Sequence, residues 1–252
     1  MVPAGLHVVE HHPHNDGPRV VIVHGCPDRS KNFARVVHLL SDLPVTVYDR
    51  RGYGKSLDAQ PPSTGFADQV DDLIAILDGR PAVVCGQSAG GAITMMASIK
   101  APELFLSVGV WESPTPWETW WPTGDHEEWL PTWVALPPAE LGERYNRGLI
   151  GDERWDSLAE RTKDLLRAEG TAFNADLRSQ VEPPFHVDDV SVPLVIGAGS
   201  LTNEWMIEGA KRIAQHANGE FFLAEGAAHV AHTDHPEVWA DLVRRAVAIA
   251  RH

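Results

Sequence analysis

Five residues, Gly86-Gln87-Ser88-Ala89-Gly90, stand between a short apolar run, Ala82-Val83-Val84-Cys85, and a helical pattern over Gly91–Ile99. A turn this tight strains the serine backbone. Only small residues two positions either side let a strand and the helix after it pass closely enough. The pattern is that of a nucleophile elbow. It holds the Ser88 hydroxyl clear of a sheet and places a helix N-terminus beneath it, where developing negative charge is stabilised. Gly-x-Ser-x-Gly also arises by chance, so the flanking strand and helix give the string its weight.

The rest of the chain supplies a sheet for that elbow. β-Branched or apolar runs at Leu6–Glu10, Val20–His24, Val45–Asp49, Ala82–Cys85, Leu104–Trp111, Leu194–Gly197 and Glu220–Leu223 read as strands. Helical patterns lie at Asn32–Leu40, Phe66–Leu77, Gly90–Lys100 and Asn203–Ala217, with a closing helix over Trp239–Arg251. That alternation predicts an α/β fold, a parallel sheet with helices on both faces. Ligands of such sheets bind at the carboxyl ends of the strands, where Ser88 falls.

Between Pro114 and His186 the alternation stops. No strand is evident, proline is frequent, and six of the nine tryptophans occur there: Trp117, Trp120, Trp121, Trp129, Trp133 and Trp155. Helical stretches at Ala139–Gly148 and Trp155–Arg167 predict a helical insertion. The domain reading is a core of residues 1–113 and 187–252 with a cap of residues 114–186. A small cap needs tryptophans for its own core, and an apolar pocket over the sheet edge needs them for substrate. All six are therefore candidate substrate-binding residues, and the sequence does not sort the two roles.

A net charge of −14 argues against nucleic acid and anionic membrane surfaces as partners, since both call for basic patches. No apolar run is long enough to span a bilayer, and the first ten residues lack the basic and apolar regions of a signal peptide. Two cysteines beside predicted strands, Cys26 and Cys85, read as reduced thiols of a cytoplasmic protein. The remaining candidate partners are a small hydrophobic substrate and, for a homodimer, a second copy of the chain.

Acyl transfer needs a base, a group that orients it and oxyanion donors around the nucleophile. His229 follows the strand Phe221–Leu223 within the small-residue loop Glu225-Gly226-Ala227-Ala228, and is favoured as base over His232 and His235. One oxyanion donor is expected from the N–H of Ala89, directly after the serine. The other is expected from Cys26, in the loop that follows Val20–Val23. The Cys26 sulfur itself reads as a packed side chain.

The segments His24-Gly25-Cys26-Pro27, Tyr48-Asp49-Arg50-Arg51-Gly52-Tyr53-Gly54-Lys55-Ser56, Gly86–Gly90 and Ala228-His229 together resemble the α/β-hydrolase fold family, in order and over nearly the whole chain outside the insertion. The resemblance implies an eight-stranded, mostly parallel sheet, a cap inserted after the sixth strand and a Ser–acid–His triad. It also implies that Asp49, Arg50 and Gly52 shape a turn rather than do chemistry. The implied chemistry is a serine hydrolase acting on an ester or lactone, with no metal or organic cofactor required.

The chain departs from the family at the acid. In most members an aspartate follows the seventh strand, but here the stretch is Gly197-Ala198-Gly199-Ser200. Glu112, in Trp111-Glu112-Ser113-Pro114-Thr115, and Glu204 are the candidate substitutes, and a triad without an acid is the third option. Glu112 is preferred because it ends a strand at the carboxyl edge of the sheet. Its placement is similar to the zearalenone-lactonase-like branch, where a glutamate after the sixth strand is the acid and a Pro-Thr pair follows. Two further readings stand beside the esterase or lactonase: a carbon–carbon bond hydrolase of ring-fission diketones, and a catalytically weak ligand-binding protein. Dehalogenase and epoxide hydrolase chemistry need an aspartate where Ser88 stands.

Overall fold

The structure, a computed structural model, describes residues 3–181 and 183–250. Met1, Val2, Glu182, Arg251 and His252 lie outside the described residues, Arg251 being the end of the expected closing helix. Seven strands form one sheet: β1 (Val8–His11), β2 (Val20–Val23), β3 (Val45–Tyr48), β4 (Ala82–Gln87), β5 (Phe105–Trp111), β6 (Leu194–Gly199) and β7 (Glu220–Ala224). Their order is β1-β3-β2-β4-β5-β6-β7, antiparallel only where β1 meets β3. The expected eighth strand is absent among the described residues. Only β1 precedes the parallel run. Upstream, Pro3 lacks the N–H a ladder requires, and Gly5 takes a left-handed φ of 88° in a turn.

β2, β3 and β4 are buried at every position, which is why they read as unbroken apolar runs rather than alternating ones. Helices cover both faces. The helices are α1 (Ala34–Leu39), α2 (Phe66–Leu77), α3 (Ala89–Lys100), α4 (His126–Val134), α5 (Pro138–Ile150), α6 (Asp152–Asp156), α7 (Glu160–Ala168), α8 (Gly170–Arg178), α9 (Glu204–His216), α10 (Ala231–Asp234) and α11 (Pro236–Ala248). On one face Phe66, Leu73, Ile93 and Ile213 from α2, α3 and α9 pack against Val84 and Val108. On the other, Phe33, Trp239, Leu242 and Val243 pack against Ile22 and Cys85. Cys26 and Cys85 are both free thiols.

The segment between β5 and β6 is helical, α4 to α8, and has a small core of its own built on Leu130, Leu141, Phe173 and Leu177. The insertion thus follows the fifth strand of this sheet. The single helix expected over Trp155–Arg167 is two, because Ala159 is extended (φ −60°, ψ 140°) between α6 and α7. No helix among the described residues is long and apolar enough to cross a membrane.

Candidate active site

Three loops meet at the carboxyl edge of the sheet, and the elbow is the middle one. Ser88 directly follows β4 with φ 52° and ψ −125°, a conformation an L-residue adopts only under constraint. The constraint is close packing. A Cβ on Gly86 would lie 2.3 Å from the Gly90 carbonyl oxygen, and one on Gly90 would lie 2.4 Å from that of Val23. The Ser88 amide donates to Trp111 O (2.9 Å), tying the elbow to the end of β5. Ala89 opens α3, so its N–H has no intrahelical acceptor.

Glu112 directly follows β5, is fully buried and also has a left-handed φ, 44°. Its backbone N–H donates to Gly197 O (3.1 Å), and its Oε1 accepts the Gly199 N–H at the end of β6 (2.7 Å). The other oxygen, Oε2, lies 2.8 Å from His229 Nδ1. A carboxylate only accepts, so Nδ1 is the donor of this bond and Nε2 is turned away from Glu112. The loop carrying His229 is pinned through its carbonyl, which accepts from Trp111 Nε1 (3.2 Å) and Gln87 Nε2 (3.3 Å).

The competing residues are placed elsewhere. Glu204 is exposed in the first turn of α9, complementing the helix dipole. Ser200, where the family resemblance expects the acid, accepts the Gly226 N–H through Oγ (3.0 Å) and so fastens the base loop. His232 is buried, with Nε2 3.0 Å from Asp28 Oδ2 and its ring stacked on Phe33. His235 is half-buried, with Nδ1 3.2 Å from Glu237 Oε1.

The loop after β2 brings Cys26 to the same place. Gln87, the second residue of the elbow string, accepts the Gly25 N–H through Oε1 (3.1 Å) while its amide nitrogen donates to the base loop. One side chain therefore links the loops of β2, β4 and β7. The sequence reading missed it, because its only signal is a long amide where any residue fits the motif. Asp49 holds the adjoining turn as expected: Oδ1 accepts the Ser30 N–H (2.8 Å) and hydroxyl (2.6 Å), and Oδ2 accepts the Lys55 N–H (2.8 Å).

Ser88, His229 and Cys26 line one cavity of about 450 Å³ beneath the insertion. Of the six candidate tryptophans, Trp129 and Trp133 line it, joined by Tyr145, Phe173 and the unforeseen Trp205 of α9. Trp117, Trp120, Trp121 and Trp155 are not among the residues that line it. Trp155 is fully buried beneath Arg147 and Arg167 and serves the insertion's packing. Trp121 packs against Gly209 and Trp205, Trp120 stacks on His216, and Trp117 donates to Phe185 O (2.9 Å). They fasten the first part of the insertion to the core rather than facing the cavity. Asp125, His126, Gln180, Thr202 and Asn203 add polar groups to the aromatic walls. Burial lowers the pKa of His126 from its ordinary value.

A strained serine after a central parallel strand, a histidine beyond the last strand and a carboxylate on its Nδ1 define a protein of the nucleophile-elbow class. The chain belongs to the alpha/beta hydrolase family, whose model matches residues 20–242. The lipase LipV of Mycobacterium tuberculosis is 34% identical over 102 residues, covering 39% of this chain and 38% of that protein. The chain spans less than half the length of LipV and of similar curated relatives. Similar solved structures include a thermophilic esterase from Thermogutta terrifontis (TM-score 0.73, 18% identity, 98% of this chain and 94% of that one). The enol-lactonase from Burkholderia xenovorans is also similar (TM-score 0.70, 18% identity, 98% and 99% covered). At such identities these two likenesses speak for the fold alone.

Proposed function

We propose that the protein is a serine hydrolase that cleaves an ester or lactone of a small hydrophobic, aromatic substrate, with residues 114–186 as its cap. The observation that carries this reading is the 2.8 Å contact of His229 Nδ1 with Glu112 Oε2, beside a cavity that His229 shares with Ser88. Nε2 of His229 takes the Ser88 proton as Oγ attacks the substrate carbonyl, and Glu112 holds the useful tautomer and stabilises the imidazolium. The amides of Cys26 and Ala89 receive the oxyanion. Collapse of the tetrahedral adduct expels the alcohol, which takes the proton from His229. Water, deprotonated by the same nitrogen, then frees the acid and restores Ser88.

The aromatic walls of Trp129, Trp133, Tyr145, Phe173 and Trp205 support an apolar ring-bearing substrate. LipV is named a lipase, which agrees with the reading.

The test is turnover of an activated short-chain aryl ester by the wild type beside Ser88→Ala, with fluorophosphonate labelling of both. Hydrolysis and labelling that vanish together in Ser88→Ala are expected. A wild type that neither turns over nor labels ends the hydrolase reading and leaves ligand binding; labelling without ester or lactone turnover favours carbon–carbon cleavage.

A further inference from the structure

The loop that carries Cys26 is gripped by a buried charge from the insertion. Asp176, on α8, and Arg50, after β3, are both fully buried and form an ion pair, Arg50 Nη2 to Asp176 Oδ2 at 2.8 Å. The Tyr53 hydroxyl donates to the same oxygen (2.6 Å). Arg50 then turns its remaining donors onto the loop after β2: Nε to His24 O (2.9 Å) and Nη2 to Gly25 O (2.9 Å). Its backbone N–H donates to His24 Nε2 (2.8 Å), so His24 carries its proton on Nδ1 and donates it to Gly25 O (2.7 Å).

The Gly25 carbonyl and the Cys26 N–H are the two ends of one peptide group. A carbonyl that accepts from a guanidinium and an imidazole at once pulls electron density from its own amide nitrogen, and the N–H at the far end becomes a stronger donor. The same two bonds fix the plane of that peptide. The carboxylate that keeps Arg50 charged and oriented belongs to the insertion. A second carboxylate at the start of α8, Glu169, takes both Arg29, at the end of this loop, and the Gly54 N–H (2.8 Å).

We infer that Arg50 is a positioning residue for the oxyanion site, holding and polarising the Gly25–Cys26 peptide under the control of Asp176, an inference that rests on the role given above to Cys26 N–H. Buried ion pairs add little net stability and are retained where they fix a geometry. This one fixes the peptide on which the oxyanion depends.

The neighbouring pair Arg51–Asp72 serves as an internal control. It is similarly buried, with Arg51 Nε 2.8 Å from Asp72 Oδ2, but Arg51 bonds Pro61 O and not the Cys26 loop. Asp176→Asn and Asp72→Asn are compared with wild type for kcat, KM, thermal midpoint and inhibition by an aryl trifluoromethyl ketone, which forms an ionised adduct on the serine. Asp176→Asn is expected to lose about ten- to a hundredfold in kcat, somewhat less than deletion of an oxyanion donor outright, with KM within twofold. Its affinity for the ketone should fall by a similar factor. Asp72→Asn should lower the thermal midpoint and leave kcat and ketone inhibition within twofold.

A folded Asp176→Asn with wild-type kcat, or with unchanged ketone inhibition, overturns the inference, and so does an equal loss in Asp72→Asn. Should Asp176→Asn not fold, the charge-free pair Arg50→Met/Asp176→Leu is judged by the same two readouts. Failure of the wild type to hydrolyse ester or to label at Ser88 would count against the hydrolase reading. Wild-type activity with an indifferent Asp176 counts against this coupling alone.

Discussion

His229 and Glu112 are 117 positions apart in the chain, yet His229 Nδ1 meets Glu112 Oε2 at 2.8 Å. The meeting depends on β5 and β6 lying side by side: Glu112 leaves the end of β5 with a left-handed φ, and its second oxygen takes the Gly199 amide at the end of β6. Glu112→Gln is therefore expected to cut kcat on an activated aryl ester by about a thousandfold or more, because an amide can hold the wrong imidazole tautomer. Glu204→Gln, on an exposed helix start, should remain within twofold of wild type. The reverse ranking would move the acid to Glu204.

Binding and packing tryptophans separate by the parameter they change. Trp129→Ala and Trp133→Ala remove cavity wall and should raise KM for aryl esters several-fold, with less effect for short alkyl esters. Trp155→Ala empties a fully buried site and should cost about 3–5 kcal/mol in denaturant unfolding. KM of the folded fraction should not change. A KM effect of Trp155→Ala matching that of Trp129→Ala would contradict the assignment.

The elbow has no room for a methyl group. Gly90→Ala places a Cβ 2.4 Å from Val23 O and 2.5 Å from His24 O, both backbone atoms that cannot rotate aside. α3 must shift from β2, carrying Ala89 and Ser88 with it. Loss of fluorophosphonate labelling, together with a depressed thermal midpoint, is the expected result. Full labelling by a stable Gly90→Ala protein would show that the loop yields.

His24 gives the fold an acid-sensitive edge. Burial first, and then the Arg50 charge, push its pKa down to about 4 from an ordinary 6.5, against weaker opposing pulls from Asp28 and Asp49. Between those values the unfolded chain binds a proton that the folded chain refuses, so stability falls as pH drops through the window. The contribution is complete above pH 6.5, and about 3 kcal/mol is lost on reaching pH 4. Urea unfolding between pH 7 and 4 should show this slope, and His24→Gln should flatten it. An unchanged slope in the variant would place the effect on other groups.

Local signals carried much of this site. Ser88 was legible because a strand-to-helix turn admits few residue types, and His229 because a small-residue loop follows a terminal strand at a readable distance. Glu112 could be preferred but not secured, since a glutamate after a strand has many uses. The tryptophans of the insertion were not sortable at all. A helical period tells which side chains share a face but not which neighbour covers that face, so Trp129 and Trp155 looked alike. Trp205 drew no notice because it lies in α9, outside the insertion, although that helix borders the same cavity.

By itself the sequence determined the parallel α/β architecture, the elbow and the chain order of the candidate nucleophile and base. Each follows from local sterics and from hydrophobic period, which act over a few residues. Tertiary structure decided whatever required two distant segments to meet. It joined Glu112 to His229, gave Ser200 to the Gly226 amide, drew Asp176 of the insertion onto Arg50, and divided the tryptophans between wall and core. A buried carboxylate is defined by the donors that surround it, and those donors come from strands whose adjacency exists only once the sheet has formed.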